Sequence, residues 1–372
     1  MDHGIYIHVP FCRSKCGYCS FYSISDLYLI DKYVDRIILD ITKTLSGSEK
    51  INADTIYFGG GTPSLLSPSS IESIIQCLHD NAGISENAEF TIEMNPEDAV
   101  DSKISGYINA GVNRIVLGVQ TLNQEFHDTA GRSGNLCIDD VLDRFFSITG
   151  FIHCVDLITG IPGHTPENIK PEIERILKYQ PEHISAYILS VEKGTPVYNK
   201  IKRDEVFDKM QVDVFRSVIN ILKDAGYDHY EISNFSLNGN ISRHNMKYWK
   251  YDPYIGFGPS SHSFCFNQRY CNNMNVDEYI NSDTVQNIAD MRDAGSVIAE
   301  IFLTGLRLLQ GVSIEEIAEK AGVRIPETVL DRLKTLAAEG KINMDSKGLI
   351  KIDNDYFFFA DSVIFDIVQD II

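Results

Sequence analysis

The chain has 372 residues, enough for one large domain plus a small one, and its 44% apolar and 23% charged content is that of an ordinary globular protein. A formal net charge of −19 repels polyanions and argues against nucleic acid as a partner. No stretch approaches the ~18 apolar residues of a membrane span, and no basic and apolar leader precedes the first strand-like run, so the expectation is a cytoplasmic protein with reduced thiols among its eight cysteines.

From residue 5 to about 190 one unit repeats: a short β-branched run, a loop, then a helical pattern. Strands are expected at Ile5–Val9, Thr55–Phe58, Glu89–Glu93, Arg114–Val119, Ile152–Ile158 and Ile184–Leu189. Helices are expected near Ile30–Leu45, Ser69–Asn81, Asp101–Asn109, between Asn123 and Thr149, and near Pro166–Tyr179 and Asp204–Ala225. Six βα units in a row require a parallel sheet, doubly wound or curved into a barrel. The loops favour the barrel, because each strand runs into a polar or glycine-bearing turn and barrel chemistry collects at the strands' carboxyl ends.

Residues 236–289 show no periodicity and are rich in Asn, Ser and aromatics; they read as a functional connector. Beyond about 290, helices at Ile314–Ala321 and Glu327–Glu339, a short strand, the turn Ser346-Lys347-Gly348 and a strand at Leu349–Ile352 outline a winged helix. Residues 290–372 carry nine Lys/Arg against fifteen Asp/Glu, a net of −6, so packing or a cover over the barrel is expected there rather than DNA reading. The expected units are therefore a core at 1–235, the connector at 236–289 and a small domain at 290–372.

The first loop holds Cys12, Cys16 and Cys19, spaced by three and then two residues. A [4Fe–4S] cluster normally takes four thiolates. Three leave one iron open, as chemistry at a metal requires. A zinc site would want a fourth Cys or His at short spacing; none follows, and His8 is too close in sequence to close a tetrahedron. A disulfide would leave an odd thiol. Tyr6 and Tyr18 bracket the triad and can shield a cluster or simply pack; His8 reads as a satisfied core histidine. Cys77 sits in a helical apolar stripe, and Cys137, Cys154, Cys265 and Cys271 read as buried thiols.

Gly59-Gly60-Gly61-Thr62-Pro63 ends the second strand, where glycine lets backbone N–H groups approach a ligand closely. Glu93, Gln120 and Asp156 end the third, fourth and fifth strands and point into a barrel mouth, with Arg132 able to pair with a carboxylate. Further on, His244-Asn245-Met246-Lys247-Tyr248-Trp249 sets an imidazole beside the only tryptophan. That suits a haem iron and its apolar macrocycle, or an aromatic core patch. His262 is the competing imidazole.

These residues resemble the radical S-adenosylmethionine (SAM) superfamily. Within it the chain is similar to the oxygen-independent coproporphyrinogen III oxidase family and its HemW-type haem chaperones. The resemblance rests on Tyr-Ile-His-Val-Pro-Phe-Cys, the cysteine triad, Gly-Gly-Gly-Thr-Pro-Ser, Glu-x-Asn-Pro, Gly-Val-Gln, Asp-Leu-Ile-x-Gly and His-Asn-x-x-Tyr-Trp. It implies an incomplete (β/α)6 radical SAM barrel with a winged-helix-like C-terminal domain. It implies a [4Fe–4S] cluster on Cys12, Cys16 and Cys19 with SAM on its open iron. Tyr6, Tyr18, Gly60, Gly61, Thr62, Glu93, Gln120, Arg132, Asp156 and Ile188 then become SAM contacts, and His244 a haem ligand. The implied partners are haem, an unidentified haem-acceptor protein and an electron donor to the cluster. The decarboxylating relatives have a fourth cysteine two residues after the third, where this chain has Phe21, and a longer N-terminal extension; many relatives have a histidine shortly after the arginine matching Arg132, where Ser133-Gly134 stands here. Chaperone activity is the leading expectation, and radical decarboxylation of porphyrinogen propionates the alternative.

Overall fold

The computed structural model describes residues 2–46, 51–129, 137–265, 268–282, 287–369 and 371. Six βα units come first. They comprise β1 (His3–Val9), α1 (Ile30–Leu45), β2 (Asn52–Gly60), α2 (Pro68–Asn81), β3 (Gly83–Met94) and α3 (Asp101–Asn109). There follow β4 (Arg114–Gln120), α4 (Gln124–Thr129), α5 (Ile138–Ser147), β5 (Ile152–Thr159), α6 (Pro166–Leu177), β6 (His183–Ile188) and α7 (Glu205–Asp224). Strands β1 to β6 pair in parallel and in sequence order.

Each helix turns its apolar stripe onto the sheet. On α1 that stripe is Tyr33, Val34, Ile37, Ile41 and Leu45, all buried in the main core. Each such side chain contributes about 1.5–3 kcal/mol on leaving water. Helix starts are set locally: Ser67 accepts from the Ser70 amide to cap α2, and Thr165 with Asn168 forms a reciprocal capping box on α6.

The region expected as a connector is part of the sheet instead. It follows β7 (Asp228–Glu231) and contains β8 (Asn234–Ser236), α8 (Arg243–Trp249), β9 (Tyr254–Phe257), β10 (His262–Cys265), β11 (Gln268–Asn272), α9 (Val276–Asn281) and β12 (Asn287–Met291). The expected boundary at 235/236 falls inside β8. Strand β9 pairs in parallel with β1, and β10 to β12 extend that edge antiparallel, while β8 and β7 extend the other edge beyond β6. These strands have three to five residues, too few for alternation to register in the sequence. They exist because a neighbouring strand supplies the ladder.

The chain ends in α10 (Ala294–Gly305), β13 (Val312–Ser313), α11 (Ile314–Ala321), α12 (Glu327–Ala338), β14 (Ile342–Met344), β15 (Leu349–Ile352) and α13 (Ala360–Val368). The three strands form their own sheet in the order β13-β15-β14, the wing of the expected winged helix. This small domain shares its core with the sheet extension, since Tyr251, Tyr254 and Phe264 pack among Phe302, Leu333 and Ile364. It covers the flank of the extension. Among the described residues no helix is long and apolar enough to cross a membrane.

Candidate functional site: a thiol-rimmed cavity at the strand ends

A cavity of 520 Å³ opens where β1 to β6 end. Cys12, Cys16, Cys19 and Tyr18 line it from the first loop, Gly60, Gly61 and Thr62 from the second, and Glu93, Gln120, Asp156 and Ile188 from the ends of β3 to β6. The structure thus brings eleven of the expected cluster and SAM residues together around one cavity. Arg132 lies outside the described residues.

The cysteine loop is fastened from both sides. The Cys12 amide donates to the Ile24 carbonyl at 2.9 Å, and the Val197 amide to the Gly17 carbonyl at 3.0 Å. Arg13 grips Asp98 with two nitrogens, at 2.6 and 3.1 Å, and Ser64 donates to the same carboxylate at 2.7 Å. Burial by itself would raise the Asp98 pKa, but Arg13, Ser64 and Lys103 outweigh it and hold the group below its ordinary value. Arg13 and Asp98 carry no chemistry at the cavity. They anchor the loop to the strand-3 turn, and only their contact, not their spacing, shows it.

The glycine turn is a cradle that side chains would fill. A Cβ on Gly61 would stand 2.6 Å from the Phe11 carbonyl oxygen, and one on Gly60, at φ +110°, 2.6 Å from the His8 ring. The Gly61 and Thr62 amides are held by the Val9 and Phe11 carbonyls, and the Thr62 hydroxyl donates to Cys12 Sγ at 3.5 Å. Gln120 sits at φ 68°, a backbone conformation that costs a non-glycine residue of order 1–3 kcal/mol. Its side chain lines the cavity.

Two carboxyl groups face the cavity, Glu93 from β3 and Asp156 from β5. Burial raises Glu93 to about 7, partly offset by the hydrogen bond that Tyr57 donates at 2.8 Å. Burial likewise raises Asp156 to about 6, and its Oδ1 is buried with no partner among the described residues. An orphaned carboxylate oxygen beside a carboxyl poised near neutrality is a site built for hydroxyl or ammonium donors. The cysteines also fit a cluster. They surround a common space, and burial raises the Cys19 thiol with the other two adding to it. Among the described residues no group of three His, Cys, Asp or Glu side chains stands in the arrangement that holds a single metal ion. Three thiols around the corner of a larger body suit an iron–sulfur cube.

Two expectations are corrected. Tyr6 does not line the cavity: its hydroxyl donates to His8 Nδ1 at 3.2 Å, and its ring stacks on Tyr57 and His244 beneath the floor. His244 lies at the other end of the barrel, 1% exposed. Its helix α8, capped by Ser242, crosses the amino ends of β1 to β3, and the His244 ring packs against Gly4 of β1. Five residues of β1 separate Gly4 from Val9, roughly 17 Å at about 3.3 Å each. Both His244 nitrogens are used, by Thr55 Oγ1 at 2.9 Å and, through the i,i+4 spacing of one helix face, by the Tyr248 hydroxyl at 2.8 Å. Burial lowers its pKa to about 3. The neighbouring Trp249 is covered by the Arg307 guanidinium, 4.8 Å from its ring. The segment packs as the aromatic core patch, with both His244 ring nitrogens bonded and Tyr248 and Trp249 partly buried.

The remaining thiols also differ from expectation. Cys77 and Cys154 are buried, Cys265 and Cys271 half-buried, and Cys137 exposed. The residue missed altogether in sequence is Tyr57, whose role depends on a partner 36 residues away.

A partial parallel barrel with three thiols above a glycine cradle and two buried carboxyls defines a radical SAM protein, and the comparisons agree. The radical SAM superfamily model matches residues 6–176, and the HemN C-terminal domain model residues 296–358. The solved coproporphyrinogen III oxidase (HemN) of Escherichia coli superposes with a TM-score of 0.84 over 99% of this chain and 90% of that one, at 19% identity, a likeness of fold. "Heme chaperone HemW" of Lactococcus lactis is 31% identical over 98% of this chain and 99% of its own length. Its counterpart in Bacillus subtilis is 32% identical over 91% and 92%. The chain belongs to the HemW family of the radical SAM superfamily.

Proposed function

We propose that this protein is a haem chaperone that carries a [4Fe–4S] cluster and SAM and passes haem to an acceptor protein in the cytoplasm. The observation that carries the cofactor part is the donor set of the 520 Å³ cavity: three thiols, a glycine cradle and two buried carboxyls with an open oxygen. Cys12, Cys16 and Cys19 would hold three irons, leaving the fourth for the amino and carboxylate groups of SAM, and the cluster supplies an electron when reduced.

The protein's own residues act around that pair. The Gly60–Gly61 backbone leaves room for the ligand to approach. Asp156 Oδ1 accepts a hydrogen bond from a ligand hydroxyl or ammonium. Glu93, at about 7, holds or releases a proton at its Oε2 while Tyr57 occupies Oε1. Tyr18, packed among Phe126, Ile158, Ile161 and Leu189, closes the rim against water. Arg132 is the proposed partner of the SAM carboxylate.

The chaperone reading comes from the names of the relatives and from Phe21. Phe21 is 66% exposed at the cavity rim, where the decarboxylating relatives place a cysteine. An exposed aromatic there favours a flat apolar cargo over a fourth thiol. Anaerobic reconstitution followed by haem titration and by porphyrinogen turnover tests the reading. Saturable haem uptake without turnover is expected, and turnover without haem uptake would reverse the assignment to the oxidase.

A further inference from the structure

Behind the Asp156 wall of the cavity, β6 meets the β7–β8 hairpin. His183 stands across the ladder from Ser236, and Ser185 from Asn234. Glu231 of β7 stands across from the same Asn234. The pair between the two rungs, Ile184 and Phe235, is fully buried in the apolar core on the helix side of the sheet. Strand alternation therefore turns His183, Asn234 and Ser236 toward the barrel interior, with Glu231 bonded to Asn234 there. These four residues are 1–3% exposed, and none of them lines the cavity.

Each carries one buried polar atom with no partner among the described residues: His183 Nδ1, Glu231 Oε2, Asn234 Oδ1 and Ser236 Oγ. Buried polar atoms are normally paired, so four together on neighbouring rungs point to a common ligand. The bonds made by their other atoms fix what each free atom can do. The Ser242 amide donates to the Tyr230 hydroxyl at 3.2 Å, so the phenol's own hydrogen goes to His183 Nε2, 2.8 Å away. Burial and the nearby Arg114 charge keep the His183 ring neutral, which leaves its one hydrogen on Nδ1. Asn234 Nδ2 donates to Glu231 Oε1, which also accepts from the Ser233 amide at 3.2 Å. Asn234 Oδ1 and Glu231 Oε2 are thus free acceptors, and the His183 N–H and Ser236 hydroxyl free donors.

Two donors and two acceptors complement one water molecule, which donates twice and accepts twice. A metal or ammonium cation would leave the His183 N–H unpaired, and an anion would leave both acceptors unpaired and face a carboxyl. Opposed side chains in an antiparallel ladder have Cβ atoms about 4.5–5.5 Å apart, a span that a bridging water covers. Glu231, raised to about 7 by burial, is served in either state: when its Oε2 carries the proton and donates, the Ser236 hydroxyl turns to accept.

We propose that His183, Glu231, Asn234 and Ser236 bind one ordered water inside the barrel, which joins β6 to the β7–β8 hairpin and backs the cavity wall. The wall is reached through Ser185, which faces Asn234 across one ladder and Asp156 across the other. The Ser185 hydroxyl favours the ionised form of the Asp156 carboxyl. Tyr187, the next residue on the same face of β6, lines the cavity itself. The water thus holds the strand that presents Ser185 and Tyr187, whichever cofactor fills the cavity.

The experiment compares the full-length parent with Ser236→Thr and Ser236→Val, two variants of one shape that differ in the hydroxyl. High-resolution crystal structures locate the water, and oxygen-17 magnetic relaxation dispersion counts long-lived internal waters in solution. The parent should show one density peak at about 2.6–3.2 Å from all four atoms. Ser236→Thr should keep it. Ser236→Val should lose it, with a dispersion amplitude one water below that of Ser236→Thr. If Ser236→Val does not fold, the parent and Ser236→Thr structures decide alone. An interior in which the four side chains pair directly with one another would overturn the proposal. So would a peak at about 2.6 Å or less from the oxygens that rubidium replaces, because it would be a cation. Equal dispersion amplitudes for the Thr and Val variants would overturn it as well. None of these outcomes depends on the cluster, SAM or haem, so the proposed function stands or falls separately.

Discussion

The Tyr57 hydroxyl donates a 2.8 Å hydrogen bond to Glu93, while the Tyr57 ring stacks on His244 with centroids 5.1 Å apart. One side chain thus connects the cavity floor to the packed plug at the far end of the barrel. Glu93 is held by a partner that the plug keeps in place. The His-Asn-x-x-Tyr-Trp segment therefore bears on the cofactor cavity through packing.

Glu93 should make SAM binding pH-dependent. Ligand hydroxyls donate to the ionised carboxylate and favour it, so affinity should rise as pH passes up through about 7 and level off above. Glu93→Gln should flatten this profile and weaken binding at pH 8 by about 1.5–3 kcal/mol, the worth of hydrogen bonds to a charged group. Isothermal titration with SAM across pH 6 to 8.5, a window set around the reference and shifted carboxyl values, reads it.

His244→Ala should destabilise the fold by about 2–4 kcal/mol, because Thr55 and Tyr248 lose their partner and a cavity opens beneath Tyr57. Denaturant melts measure the loss. Haem affinity should be unchanged where the variant is folded. The sign of the pH effect follows from its folded value of about 3 against an unfolded 6.5. Between these values the unfolded state binds a proton that the native state does not. This contribution to stability is complete above 6.5 and falls as pH drops toward 3.

Cys16→Ser should remove most of the cluster iron, since two thiolates cannot hold three corners of the cube. Iron analysis and electron paramagnetic resonance of the reduced protein report it. Full retention of a [4Fe–4S] signal would refute the triad assignment.

The reconstituted protein should not convert coproporphyrinogen III to protoporphyrinogen when given SAM and a reductant. Phe21 is the warrant, standing exposed where the oxidases have a cysteine. Chromatography of the porphyrin products, after oxidation, gives the answer, and multiple turnovers would contradict it.

The radical SAM barrel was legible because its strands are long, β-branched and each followed by an amphipathic helix, and because the ligand residues sit at strand ends one loop at a time. Cys12, Gly60, Glu93, Gln120 and Asp156 converge on the cavity for that reason. A local pattern suffices when position in a repeating unit decides where a side chain points. The winged helix was visible on the same basis, its helices having clear apolar faces.

What only the tertiary structure decided is where non-local partners come from. Strands β8 to β12 are too short to carry a period and are set by the ladders they join. His244 and His262 look equally available in the sequence. The fold buries the first between Thr55 and Tyr248 and leaves the second exposed beside Cys271, because α8 closes the amino ends of the strands while β10 begins at their carboxyl ends. An imidazole's chemistry depends on which of its nitrogens finds a partner, and those partners lie as far as 189 residues away.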